Sequence, residues 1–397
     1  MDVAVIGVGI ADSLGTNTET CWNNLLNGVV GMSDNTCYSR QTHPISKIDR
    51  VHTVNTENID VSDHFSEKER SFMDRGFLLG LYTTMQAIKD SNINSTDVSV
   101  IFSISGVMRR LEELVYDNLA KNKRTMPRSL LYGMRDNLSS VITRMYGFTG
   151  KTATVSNMCA SALTAIDYGI HSLEDNEYCI VSGTDSFINP FCLYCFQQIG
   201  ALSVGAEQLT RPFDNARDGF TMGEGSASFV ITSKENAIKR GHKIYGIIKG
   251  VGCATESTHE TDMSSDGIGS RKAISTAIKK AGITYNDIGY INCHATGTPN
   301  GDLVEYNIIA DLFPNRVVGA NKANIGHTMG GCGLIETYYT MKALSTGIAP
   351  PIANLHNPIG NGLIFPLTPT KIDAEYALKN SFGFGGKSSS IVVQRYV

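Results

Sequence analysis

The sequence predicts an α/β protein with mainly parallel sheets, built as two similar halves over residues 1–235 and 236–397. Three observations lead there. Strand-like and helical patterns alternate along the chain, the order that builds sheets joined by crossover helices. Hydrophobic residues make up 42% of the 397 positions, enough for a large interior and unlike a disordered chain. A segment also recurs at an offset of 190 residues: Ala87–Ile101 aligns without gaps on Ala277–Ile291, with six of 15 positions identical. Each copy reads as a helix end, a turn and a buried strand. A weaker echo pairs Gly225–Ile231 with Lys387–Val393. A pseudo-symmetric pair of this kind tends to place its site where the halves meet.

Taken in order, Val3–Val8 is a β-branched apolar run and reads as a buried strand. Cys21–Asn27 reads helical, with Cys21, Trp22, Leu25 and Leu26 on one side. Asp74–Lys89 reads as a longer helix on the spacing of Phe77, Leu81, Met85 and Ile88. Val98–Ser103 is extended, Ser161–Leu173 helical and Tyr178–Ser182 extended. No low-complexity tract or long linker divides the chain, and the polar stretch Ser233–Lys243 is the nearest thing to a seam.

Lys and Arg number 34 against 38 Asp and Glu, a net charge of −4, so nothing marks a nucleic-acid surface. Charged residues are 18% of the chain, below the usual quarter or so, which fits a large interior or surface buried in an oligomer. Nine cysteines, an odd count with no secretory pattern before them, point to a reduced cytoplasmic protein. No apolar run reaches the ~18 residues of a membrane span. Cys192-Leu-Tyr-Cys195 is a lone CxxC in an aromatic setting, without the further ligands of a closed zinc site.

Four segments carry chemistry. In Ser156–Ile166, small and apolar residues follow Cys159 like the start of a buried helix. A thiol at a helix N-terminus feels the dipole that favours thiolate; the plainer reading is a core cysteine. His294 ends a strand and enters the turn Ala295-Thr296-Gly297-Thr298, at a sheet rim where ligands bind, or it is a structural histidine. Lys322 and His327 flank Gly326 in a run of small residues, and Glu336 follows where it could orient or pair with Lys322. Asn380–Gly386 sets Gly383, Gly385 and Gly386 around Phe384, a tightly turned loop able to expose an N–H, or a bulge between strands. Neither GxGxxG nor a phosphate-binding P-loop pattern occurs, and Gly7-Val-Gly9 is followed by no third glycine in register. One cysteine and two histidines on separate turns suggest acyl transfer through a thioester, with imidazole N–H groups stabilising oxyanion or enolate charge. Zinc is the rival use, disfavoured by the long separations.

Together these segments resemble the β-ketoacyl-(acyl carrier protein) synthases of the thiolase superfamily, in the elongating class with a Cys-His-His site. The resemblance runs from Val3–Gly9 to Asn380–Gly386, and Arg211–Gly225 is its most diagnostic stretch. It implies a thiolase-like five-layer αβαβα fold and a decarboxylative condensation. Cys159 would be the acylated nucleophile. His294 and His327 would support decarboxylation of a malonyl thioester, and Lys322 with Glu336 would tune the site. The N–H groups of Cys159 and Phe384 would form an oxyanion hole. Phe384, between Gly383 and Gly385, would gate the second substrate, with Phe220 near the pocket. Thr296 and Thr298 would contact the phosphopantetheine arm, which arrives on an acyl carrier protein, so no metal or bound cofactor is expected. Pocket depth would depend on residues such as Met108, Met134 and Phe220. Members dimerise through their N-terminal halves, here as a homodimer or beside a chain-length-factor-like subunit.

Carrier proteins of this kind are acidic, so Lys68, Arg70, Lys121, Lys123, Arg124 and Arg128 are candidates for docking. Three departures stand out: Ser105–Arg110 in place of a Gly-rich segment, Ser156-Asn157-Met158 before the cysteine, and Ala295 where glycine is frequent. They favour a specialised polyketide or polyene pathway over fatty-acid housekeeping. The alternatives are a chain-length-factor-like partner, which usually lacks the cysteine, and a thiolase-fold acyltransferase.

Overall fold

The computed structural model describes all residues except 72, 106–108, 126–133, 258 and 261, with the backbone alone for 109–114. Ten strands form its frame: β1 Val3–Ala11, β2 Val98–Ser103, β3 Thr152–Val155, β4 Tyr178–Ser186, β5 Glu224–Ser233, β6 Gly246–Thr255, β7 Ile288–Asn292, β8 Val317–Gly319, β9 Tyr376–Gly383 and β10 Lys387–Gln394. Their order across the sheet is β8-β7-β9-β10-β6-β1-β5-β4-β2-β3. Read outward from the middle, the two sides repeat: β1-β5-β4-β2-β3 matches β6-β10-β9-β7-β8 in order and in every strand direction. The two sides join where Val3–Val5 pair antiparallel with Gly246–Ile248.

The sheet is mixed, which corrects the expectation of mainly parallel pairing. β2, β3 and β4 run parallel, as do β7, β8 and β9, while β1, β5, β6 and β10 pair antiparallel with their neighbours. The reason is visible in the second half, where β9 and β10 are joined only by Phe384–Gly386. So short a connection reverses the chain and forces an antiparallel pair.

Both faces of the strands are buried, and side chains alternate between cores. Val3, Val5, Phe229, Ile231, Ile391 and Val393 face a central core; Ala4, Ile6 and Val230 face one outer core, and Val392 the other. The helices fill three layers around them: α1 Thr18–Leu26, α2 Arg75–Ser91, α3 Asn137–Tyr146, α4 Ser161–Ser172, α5 Pro190–Gln198, α6 Ile268–Ala281, α7 Pro299–Leu312 and α8 Cys332–Thr346. α2 and α3 cover the outer face of the first half-sheet, and α6 with α7 covers that of the second. α4 and α8 lie between the half-sheets and touch both. This is the expected five-layer αβαβα order. α8 is buried on nearly all sides, as an unbroken apolar helix should be, so its Glu336, Thr337 and Thr340 are interior polar groups.

The repeat falls on equivalent elements. α2 ends at Ser91 with Asn92 at φ 50°, and α6 ends at Ala281 with Gly282 at φ 70°. Gly7 and Gly9 in β1, and Gly250 and Gly252 in β6, allow the outer helix of each half to lie against the strand. A Cβ on Gly9 would collide with the Thr83 carbonyl, and one on Gly252 with the Ala273 carbonyl. The Gly-Val-Gly run is therefore a packing device. Gly9→Ala and Gly252→Ala are each expected to cost about 3 kcal/mol of unfolding free energy by overpacking, read by urea denaturation.

β1 and β4 extend past their expected ends at Val8 and Ser182. Polar residues there find partners inside the protein: at the expected end Ser182 Oγ accepts from Ser228 Oγ of β5 at 2.7 Å, and in the extension Thr184 Oγ1 donates to the Gly76 carbonyl at 2.6 Å. Asp74 caps α2 by accepting the Gly76 N–H rather than joining it. A short helix, Lys234–Arg240, occupies the polar seam. Cys192 and Cys195 lie on α5, and none of the nine cysteines forms a disulfide. Among the described residues, no helix is long and apolar enough to cross a membrane.

Candidate active site

Three turns deliver the chemical groups, and each contains a non-glycine residue with left-handed backbone. The first, between β3 and α4, carries Met158 at φ 51° immediately before Cys159. It is held by the Asn157 N–H donating to Ser161 Oγ at 2.7 Å and by Asn157 Nδ2 donating to Thr164 Oγ1 at 3.0 Å. The second follows β7 and carries Ala295 at φ 31°, which explains why glycine would suit that place. Glu305 on α7 clamps this turn, accepting the His294 N–H at 2.8 Å and the Ala295 N–H at 2.7 Å. Asp302 accepts the Gly297 N–H at 2.9 Å. The third carries His327 and Met329, the latter at φ 47°. Strained backbone at three turns that converge on one point is what a site imposes on its scaffold.

Cys159 Sγ and one ring nitrogen each of His294 and His327 lie within 4.8 Å of one another, all buried. His327 Nε2 is 3.1 Å from Sγ. The Met329 N–H points at His327 Nδ1 over 3.3 Å. A backbone N–H can only donate, so Nδ1 is the acceptor and Nε2 carries the proton. His327 is thus built to donate toward the sulfur, or toward an oxygen held beside it. The imidazoles meet edge to face at 5.4 Å, and Phe220 packs edge-on against His327 at 4.9 Å.

Behind the histidines sits a buried ion cluster. Lys322 Nζ donates to Glu336 Oε1 at 2.7 Å and to the His294 carbonyl at 2.6 Å. Burial alone would push the Lys322 ammonium down, but Glu336 holds it above its ordinary value. Burial, then Lys322, pushes both imidazoles well below the usual histidine range, so both are neutral. Burial also pushes the Cys159 thiol well above its ordinary value, Cys332 adds to this, and Lys322 opposes it. This runs against the expectation of a thiol acidified by a helix N-terminus. α4 begins at Ser161, with Ala160 as its cap, so Cys159 lies just outside the first turn, and burial is the largest influence on it.

A cavity of about 400 Å³ opens onto the trio, with Phe196, Phe220 and Phe384 in its wall and Thr296 and Thr298 on its lining. The two threonine hydroxyls are 3.0 Å apart. Phe384 stacks on Phe196 at 6.1 Å. Gly383 lies so close to the Cys159 backbone that a Cβ there would come 2.9 Å from its nitrogen. Gly385 has φ 72° and donates its N–H to the Glu260 carbonyl at 2.7 Å.

The docking candidates lie elsewhere. Lys68, Lys123 and Arg124 are exposed and Arg70 is half-buried, Lys121 pairs with Asp117, and none of them lines the cavity. Arg128 and residues 106–108 of the Ser105–Arg110 departure, Met108 among them, fall outside the described residues. Met134 is exposed and does not line the cavity, whereas Phe220 does. Sequence reasoning missed Glu305 and Lys379. Glu305 follows Asp302 by three residues on α7, one turn apart and both buried, a spacing that sets two carboxylates on one helix face. Lys379 is a lysine inside an otherwise apolar and small-residue strand, directly before Asn380.

Comparison with known proteins gives the family. A family model described as the β-ketoacyl synthase N-terminal domain matches residues 1–237, and one described as its C-terminal domain matches residues 245–356. The 3-oxoacyl-[acyl-carrier-protein] synthase 2 of Staphylococcus aureus (strain COL) is 30% identical over 99% of this chain and 98% of its own length. That of Vibrio harveyi is 29% identical over 99% and 98%. The solved ishigamide ketosynthase/chain length factor superposes with a TM-score of 0.90 at 23% identity, covering 100% of this chain and 99% of its own.

Proposed function

Given that this chain belongs to the β-ketoacyl synthase family, we propose that it condenses a Cys159-bound acyl group with a malonyl thioester carried on acyl carrier protein. The observation that carries this reading is the His327 Nε2–H lying 3.1 Å from Cys159 Sγ at the floor of the cavity. The names of the curated relatives supply the carrier protein.

The reaction divides into two halves. Cys159 sulfur attacks the incoming acyl thioester, the carrier thiol leaves with the cysteine proton, and the acyl group stays on Sγ. The N–H groups of Cys159 and Phe384 are the oxyanion donors of this step. Malonyl-carrier protein then enters past Phe384, its phosphopantetheine arm running along Thr296 and Thr298. Its C–CO2 bond breaks, CO2 departs, and the electron pair becomes an enolate. The N–H groups of His294 and His327 receive the enolate oxygen. The enolate carbon attacks the Cys159 thioester, the C–S bond breaks, and the sulfur recovers a proton. Neutral imidazoles suit this role, because they donate a hydrogen bond without having to surrender a proton. Lys322, paired with Glu336, holds His294 by its carbonyl.

The same reading takes residues 1–235 and 236–397 as the two halves, supported by the duplicated strand order. Lys68, Arg70, Lys123, Arg124 and Arg128 are proposed to meet an acidic carrier. The working form is a dimer, either of two copies or with a chain-length-factor-like subunit such as the ishigamide structure names. Nine cysteines with no disulfide among them support a reducing, cytoplasmic setting.

The acyl chain we propose is a specialised polyketide or polyene. The Phe187, Phe196, Phe220 and Phe384 rings around the cavity support it, since flat conjugated chains stack on aromatic walls. Intact-protein mass after incubation with saturated and polyunsaturated acyl-carrier proteins tests both parts. Polyunsaturated chains are expected to load and to be discharged by malonyl-carrier protein. Preferential loading of saturated chains would sink the pathway reading, and no loading by any chain would sink the condensing one.

A further inference from the structure

The Lys322–Glu336 pair has a third member that the reaction above leaves unused. Lys379, in β9, is fully buried, with Nζ 2.9 Å from Glu336 Oε2, while Lys322 Nζ is 2.7 Å from Oε1. One carboxylate therefore serves two buried ammonium groups. Lys379 Nζ also donates to the Asn380 carbonyl. Asn380 Nδ2 donates in turn to Glu305 Oε1 at 3.3 Å, and Glu305 holds the His294 and Ala295 N–H groups. Burying an ammonium is costly even when paired, and an apolar side chain of similar size would usually be neutral or better for stability. A second lysine on a carboxylate that already has a partner calls for another explanation.

We propose that Lys379 is a positioning residue for condensation: by sharing Glu336 with Lys322, it gives the Lys322–Glu336–Lys379 trio one more positive than negative charge, so that both imidazoles remain uncharged N–H donors while the enolate forms. The inference rests on the condensing reading above. His294 faces Lys322, His327 and Lys379 of β9, and His327 faces Lys322 and Lys379; Cys159 lies beside both imidazoles with Cys332 of α8 and Asp185 of β4 around it, and Glu336 of α8 and Glu305 of α7 hold Lys322 and the His294 N–H. Lys322 and Lys379 both act on His294 and on His327 in the same direction as burial. The sign follows. With Lys379 present, imidazole protonation sets in only well below the usual histidine range, and activity persists there. Without its charge, protonation sets in at higher pH, and the acid limb of activity moves up.

The test uses the full chain with Lys379→Met, Lys379→Gln and the double variant Lys379→Met/Glu336→Gln. Malonyl-carrier decarboxylation is followed from about pH 5 to pH 8, beside a titration of 13C-labelled histidines by NMR. Both single variants are expected to move the acid limb and the imidazole titration upward by about one pH unit. The double variant removes one positive and one negative charge, so its limb is expected to return toward that of the wild type, whatever its absolute rate. A uniform loss of rate with an unmoved limb, or a shift with methionine but not glutamine, would overturn the proposal. So would wild-type imidazoles that titrate in the ordinary histidine range, a readout that needs no variant to fold. A wild-type chain that does not decarboxylate overturns the condensing reading, while the NMR titration still decides the role of Lys379.

Discussion

Replacing Cys159 with alanine is expected to abolish covalent acyl loading, a fall of at least about a thousandfold in condensation, with the fold intact. Sγ is the thiol on the cavity lining beside the two imidazoles. Cys332 is the neighbouring thiol, but it is fully buried and its Sγ points at the Cys159 carbonyl from 3.7 Å. It is therefore no substitute. The variant keeps His294, His327 and the ion cluster behind them, so malonyl-carrier protein should still lose CO2 and release acetyl-carrier protein. Mass spectrometry of the protein and of the carrier reads both results in one experiment. Loading that survives in Cys159→Ala would show that another residue is the nucleophile.

His327→Ala is expected to lower decarboxylation by about a hundredfold to a thousandfold, the usual loss for one oxyanion donor. Acyl loading should fall less. The asymmetry follows from the tautomer. Nδ1 is occupied by the Met329 N–H, so Nε2–H is a donor. It stabilises developing oxygen charge and cannot take the thiol proton while it keeps its own. Separate measurement of self-acylation and of CO2 release distinguishes the roles. Equal loss of both would mean that His327 acts chiefly as the base for Cys159.

Much of this was legible in residue types and spacing. The repeat at Ala87–Ile101 and Ala277–Ile291 was visible because each half must solve the same problem, a helix turning back into a buried strand. Cys159, His294, Lys322 and His327 were legible because small residues crowd the turns beside them. The left-handed angles of Met158, Ala295 and Met329 were not, because none of the three is a glycine. Glu305 and Lys379 were missed for another reason. A charged residue within a helix or strand pattern normally reads as solvent-facing, and only its partners show that it is interior.

The direction of the thiol's acidity shows the same limit. Sequence places Cys159 before a helix, which suggests acidification. Tertiary packing closes it off from water, which raises the thiol, and the helix's first turn begins only two residues later. Periodicity and local runs were enough for the α/β class, the duplication, the family resemblance and the choice of Cys159, His294 and His327 as candidate site residues. Only the tertiary structure decided the mixed strand directions, the tautomer of His327, the charge state of the imidazoles and the sharing of Glu336. Each of these depends on groups far apart in the chain meeting at distances of a few ångströms, where hydrogen bonding and the loss of water outweigh any local preference.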